Sequence, residues 1–312
     1  MVAGTLGTLP TIARAETDAG IQCTTECHVI GGGGGGGDDE IKGTETAESS
    51  YYGAVDIESG IHAYDAEGDT SPGGEDYWKI RFDAASNSQA RSNTSEDEQL
   101  FELDLGRSVL TSSQDLVTNT NEYWVGGGTR SDPSDDSYEH ASNAASAAVG
   151  QIPVVGGTIS AIDMVYHLYL MYDDNSSGSE LYDRTFGYQT DSSQAARQGE
   201  CYNRFVAEGE PGETGSFTLE ETAYGFDVNL AANVTFTVSY EFPSVSPSST
   251  STMTTSELQE HGIKRVPSKN VKKRPFDYGY TPQEAKGISK DSIIFAELNV
   301  SANIETNVIT NE

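Results

Sequence analysis

Lysine is scarce in this chain. There are 8 lysines in 312 residues, and 18 basic side chains in all face 49 acidic ones, for a net charge of −31. In dilute buffer such a surface repels itself and opposes folding. At ~1 M salt the Debye length falls to about 3 Å and the repulsion is largely screened. The deficit of lysine therefore predicts a protein adapted to concentrated salt. Apolar residues are also few: 35%, against roughly 45–50% in ordinary globular chains. That allows a core, but a lean one.

Other absences narrow the function. No G-x-S-x-G elbow, H-E-x-x-H helix or phosphate-binding P-loop occurs. The histidines, His28, His62, His140, His167 and His261, stand in no recognisable catalytic setting. Nothing in the sequence argues for an enzyme, and Ca²⁺ is the one cofactor its spacing suggests. Outside one central segment there is no apolar run long enough to span a bilayer. Cysteines number only 3, so at least one stays free or pairs between chains. Cys23 and Cys27 suit a disulfide, with each other or with Cys201. Zinc would need about four ligands, and no second cluster supplies them.

The N-terminus reads as the remnant of an export signal over residues 1–15, with Ala13-Arg14-Ala15 as an A-x-A site. Seven glycines, Gly31 to Gly37, follow. Polyglycine loses too much backbone entropy on ordering to hold a fold, so residues 16–48 are expected to be a disordered N-terminal tether. N-x-S/T sequons lie at Asn93, Asn175, Asn233 and Asn299. In an exported protein these are candidate glycosylation sites.

What the chain has in quantity is period-two alternation, the mark of a half-buried strand. In FDVNLAANVTFTVSYEF, Phe226, Val228, Leu230, Ala232, Val234, Phe236, Val238, Tyr240 and Phe242 are apolar and polar residues mostly stand between them. A second run puts Ile294, Ala296, Leu298, Val300, Ala302 and Ile304 inward. YYGAVDI, YWKIRF, LFELDL, NEYWVGG, CYNRFVA and SFTLEET are shorter candidates. Clean alternation belongs to antiparallel sheets. The expected fold is mainly β: an antiparallel β-sandwich over 49–243, interrupted by an apolar α-helical hairpin at 141–172. A Ser/Thr-rich linker and basic arm should fill 244–291. A terminal strand, 292–312, should either return to the sheet or be donated to a neighbouring molecule.

Charge is divided along the chain. Residues 1–260 carry 43 acidic and 10 basic side chains, whereas all 8 basic residues of 261–312 lie between Lys264 and Lys290. A basic arm on an acidic body most simply docks onto that body; anionic lipid or nucleic acid would be weakly held in molar salt, and no nucleic-acid partner is expected. In YDAEGDTSPGGEDYW, Asp65, Glu67, Asp69 and Asp76 fall at positions 1, 3, 5 and 12 of a Ca²⁺-loop spacing. Thr70 stands where Gly is wanted, and a plain solvated loop is the competing reading.

The central segment AASAAVGQIPVVGGTISAIDMVYHLYLMY, 144–172, has one formal charge, Asp163. A small-residue helix, a turn at Pro153 and Gly156-Gly157, and a second helix apolar on every side would make a hairpin. Ile159, Ile162, Val165, Tyr166, Leu168, Tyr169 and Leu170 are its candidate contacts to a membrane or protein partner. At ~1.5 Å per residue one arm falls short of a roughly 30 Å hydrocarbon core, so it would dip into a membrane or cover the sheets. The acidic composition resembles that of proteins from extremely halophilic archaea. With an export remnant, β-rich flanks and an apolar helical stretch, the layout resembles the larger halocins, secreted antimicrobial proteins of those organisms. That resemblance implies a secreted, non-enzymatic protein acting on a target-cell membrane or surface protein. The other reading is a structural or adhesive cell-surface protein that associates with itself.

Overall fold

The computed structural model describes residues 39–49, 53–92, 103–112, 114, 116–118, 125–129, 180–187, 198–225 and 230–310. These residues are mainly β and every pairing is antiparallel, which is what the alternation requires. The strands are β1 (Asp39–Ser49), β2 (Gly53–Ala63), β3 (Ala66–Thr70), β4 (Asp76–Ser92), β5 (Leu103–Ser112), β6 (Leu116–Thr118) and β7 (Val125–Thr129). They continue with β8 (Glu180–Gly187), β9 (Gln198–Gly209), β10 (Thr214–Gly225), β11 (Leu230–Glu241), β12 (Ile263–Pro267), β13 (Ser292–Ala296) and β14 (Asn299–Thr310). Three short helices intervene: α1 (Thr255–Glu260), α2 (Ser268–Lys273) and α3 (Pro282–Gly287).

Two sheets form. One has nine strands along the path β1-β2-β4-β3-β13-β12, with β9 on the other side of β4 and β6 and β7 paired to β9. The other has the order β14-β11-β10-β5-β8. Their apolar faces share one core. At its centre Phe82 and Phe205 of the first sheet stack at 5.3 Å, and Phe217 of the second meets them edge-on at 5.0 and 4.9 Å. Such pairs add stability beyond the area they bury. The sheets approach closely at Gly43, where an added Cβ would lie 2.6 Å from Val234 Cγ1 and 2.9 Å from Ile304 Cγ2.

Several boundaries differ from the sequence reading. Residues 39–48, expected in the tether, are strand β1: it pairs with β2 over its whole length and buries Ile41 and Ala47 completely. The run 292–312 is two strands rather than one. β13 belongs to the nine-stranded sheet, and β14 lies beside β11 in the five-stranded sheet. The alternation survives this break, since Ala296, Val300, Ala302 and Ile304 are all buried. Residues 244–291 are not a loose linker. Trp78 Nε1 donates to Val245 O at 2.9 Å, and Thr250 is fully buried. α1 and α3 each start with a capping box, Thr254 with Glu257 and Thr281 with Glu284, which satisfies the first free amides of a short helix. A small second core, including Val266, Val271, Tyr280, Ala285, Ile293 and Phe295, packs this strap together. The hairpin expected at 141–172 lies outside the described residues, and so does the polyglycine stretch.

Candidate functional site

Each strand of the nine-stranded sheet turns one set of side chains to the shared core and the other outward. Along β4 the inward set is Trp78, Ile80, Phe82 and Ala84, then Ser86 and Ser88, all buried. The outward set includes Lys79, Arg81 and Asp83. In register beside them stand Glu67 on β3, His62 on β2, and Arg204 on β9. The strap closes over part of this outward face. Gly279, at φ +69°, lets the chain pass with an ideal Cβ position only 2.8 Å from the Tyr64 ring, a conformation and a clearance that favour glycine.

The outward face is a belt of paired charges. Arg204 grips Asp83 with two parallel bonds, Nε to Oδ1 at 2.6 Å and Nη2 to Oδ2 at 2.7 Å. Tyr64 donates to the same carboxylate at 2.7 Å and Tyr202 at 3.0 Å. Asp83 and Arg204 are 4% and 1% exposed. Burial opposes ionisation of Asp83, but Arg204 and the hydrogen bonds outweigh it and hold the carboxyl below its usual range. Burial, with Asp83 next in importance, drives both tyrosines upward. His62 is pushed down by burial. Next along, Arg81 pairs with Glu67 at 2.6 Å and lies 4.1 Å over the Tyr280 ring.

The basic arm docks here. Lys264 pairs with Asp65, and Lys290 with Asp69 at 2.5 Å. At Asp69 burial works against ionisation, yet Lys290, the Thr70 amide and Lys79 bring the carboxyl to about 2. Asp65 moves the other way: its burial prevails over Lys264 and raises it. Asp76 accepts from Ser246, from Thr70 Oγ1 at 3.1 Å and from the Ser248 amide at 3.3 Å. The four acids of the Ca²⁺-loop spacing thus lie along and beside β3, with separate partners, instead of converging from a loop. Among the described residues no three His, Cys, Asp or Glu side chains group around a common metal position.

A second polar cluster lies between the sheets. Glu221 on β10 accepts from Ser108 on β5 at 2.7 Å and from the Cys201 thiol on β9 at 3.1 Å. Ser86 on β4 sits 2.8 Å from that sulfur and 3.4 Å from Glu221 Oε2. Asn203 donates to Ser108 at 2.9 Å and accepts from Arg184 at 2.7 Å. Glu221 is 1% exposed. Burial pushes its carboxyl up to about 7, the hydroxyl and thiol donors offsetting only part of that cost. Burial, then Glu221, raises the Cys201 thiol. It is a free, buried thiol, held protonated and unsuited to nucleophilic attack. The cluster can gain or lose one proton near neutrality, and Ser86, Ser108, Cys201, Asn203 and Glu221 are all buried.

Cys201 was considered from the sequence only as a disulfide partner, and Glu221, Ser86, Ser108 and Asn203 were not singled out, although a signal was there. In SFTLEETA the residues Phe217, Leu219, Glu221 and Ala223 share the inward phase, so a glutamate interrupts an apolar series. Of the sequons, Asn299 is exposed. Asn233 lies on the outward side of β11 but is 4% exposed, and its Nδ2 donates to Thr222 at 2.8 Å. A glycan on that nitrogen would displace this packing, so Asn233 is corrected from candidate site to structural amide. Asn93, Asn175, Cys23 and Cys27 lie outside the described residues. So do Ile159, Ile162, Val165, Tyr166, Leu168, Tyr169 and Leu170.

Among the described residues no helix is long and apolar enough to cross a membrane. No family model matches the chain, and no curated protein does. Sixteen solved chains match. One of them, described as "Pore forming protein", is 7% identical, with 67% of this chain and 86% of that chain covered and a TM-score of 0.21. Similarity at that level carries no argument about activity.

Proposed function

We propose that this is a secreted, non-enzymatic protein that acts at membranes or cell surfaces, with 141–172 as its working part. The observation that carries this reading is the segment itself: 144–172 holds one formal charge in a chain of net −31. Apolar surface of that kind must be covered by protein or by lipid. Its place in the topology suits release. The segment lies between β7 and β8; among the described residues β7 pairs with β9 alone and β8 with β5 alone. Among the described residues both are therefore edge strands, and the segment is bracketed by sheet edges rather than by central strands. The two sheets are read as a β-sandwich that carries this segment.

A second reading, an adhesive or structural surface protein, is favoured by the outer face of the five-stranded sheet. There Ser216, Ser239 and Ser301 line up across three strands, and so do Thr111, Thr218, Thr237 and Asn303 across four. Such an uncharged polar row suits contact with other polar surfaces. Strand donation is less favoured, because β14 already pairs with β11 from Asn299 to Thr310.

The test is dye release from vesicles of archaeal lipid in concentrated salt. The membrane-acting reading expects leakage from the parent and none from Ile162→Asp, with circular dichroism showing the variant folded. Absence of leakage from the parent, with retention on cells, would favour the adhesive reading.

A further inference from the structure

We infer that the exposed basic face around α2 is a docking surface for anionic lipid headgroups; this deepens the membrane-acting reading and rests on it. The sequence presents one basic arm, and the structure divides it into two parts. Lys264 and Lys290 turn toward the body and pair with Asp65 and Asp69. Lys269, Lys272 and Lys273 turn away: all three are exposed and make no ion pair among the described residues. Arg274 beside them is exposed as well and reaches Asp277 only at 3.7 Å, with side-chain exposures of 71% and 53%.

The platform under these cations is built into the fold. Val271, in the same helical turns, is fully buried in the strap's own core. Ser268 Oγ donates to Lys290 O at 2.5 Å, and the Ser268 amide donates to Asp291 O at 3.0 Å. The helix therefore cannot roll its lysines inward without losing both anchors. Lys272 and Lys273 also stand in its last turn, where cations suit the helix dipole.

Charge complementarity selects the partner. Residues 268–291 carry six basic and three acidic side chains inside a chain of net −31. An anionic bilayer repels the rest of this molecule, so an approach led by this face is the favoured one. At about 0.15 M salt the Debye length is about 8 Å, so acidic groups farther than that from the lysines are largely screened. In ~1 M salt only headgroups within about 3 Å of the ammonium groups are felt, so contact there must be direct.

The experiment is co-sedimentation of full-length protein with vesicles of phosphatidylcholine alone and of phosphatidylcholine doped with phosphatidylglycerol. It is run for the parent and for the triple variant Lys269→Gln, Lys272→Gln, Lys273→Gln, whose side chains make no ion pair among the described residues. The parent is expected to prefer the anionic vesicles and to weaken as salt rises. The triple variant should bind them roughly a hundredfold more weakly, at about 1 kcal/mol per cation and 1.4 kcal/mol per tenfold. Equal binding by the two proteins, or no preference of the parent for the anionic lipid, overturns the inference. So does a parent that self-associates without vesicles while the variant does not, since a second copy would then be the occupant. Charge-selective binding without dye release would sustain this surface and refute the leakage reading, so the two failures are separable.

Discussion

Replacing Glu221 with glutamine tests the inter-sheet cluster. In the parent this carboxyl is raised from 4.5 to about 7 by burial. A raised acid means the folded state holds its proton more tightly than the unfolded chain. The associated stability is complete below the unfolded value of 4.5 and is lost as pH rises through about 7. At 1.36 kcal/mol per pH unit, that difference corresponds to roughly 3 kcal/mol between about pH 4.5 and about pH 8. Glutamine keeps the shape but cannot ionise. It also accepts through one oxygen only, so one of the bonds from Ser108 or Cys201 is lost, at about 1 kcal/mol. The variant is expected to be less stable than the parent near pH 5 and more stable near pH 8.5, by about 2 kcal/mol at the latter. His62 acts with the opposite sign: burial lowers it from its ordinary value of 6.5, so its contribution is present above that value and is lost as pH falls below it. Because His62 is common to both proteins, the difference between their denaturant curves isolates Glu221. A parent-minus-variant difference that stays constant from about pH 5 to about pH 8.5 would refute the reasoning.

Asp83→Asn should cost about 3–5 kcal/mol, read by equilibrium denaturation, because it leaves Arg204 buried without its counter-charge; a loss below about 1 kcal/mol would mean that the pair is solvated. Gly43→Ala should destabilise by about 1–3 kcal/mol, since its methyl group would meet Val234 and Ile304 of the facing sheet; a neutral result would show that the sheets are further apart there. Cys201 should resist alkylation in the native protein and react once denaturant is added, followed by mass spectrometry of its peptide. Rapid native labelling would place the thiol outside the core.

Much of the fold was legible because strand alternation is local. Each residue of β11 and β14 reveals its inward or outward phase from its neighbours alone, whatever strand it later pairs with. The signed halves of the chain were equally local, and the contact of Lys264 and Lys290 with Asp65 and Asp69 follows from that division. The strap was read as a linker because Ser and Thr resemble one in composition, whereas here they cap helices and bind Asp76. β1 was missed because its alternating Ile41, Gly43, Glu45 and Ala47 offers little apolar contrast; pairing with β2 and packing across the gap at Gly43 make it a strand.

By itself the sequence determined the β class, the positions of most strands, the charge division and the existence of one nearly uncharged segment. These follow from residue type at short spacing. Only the tertiary structure decided which strands share a sheet, that 292–310 crosses from one sheet to the other, and that Asp83 meets Arg204 and Glu221 meets Cys201. Those outcomes join residues far apart in the chain, and burial, which sets their charge states, exists only once the two sheets have packed together around Glu221 and the outward face around Asp83 has been covered.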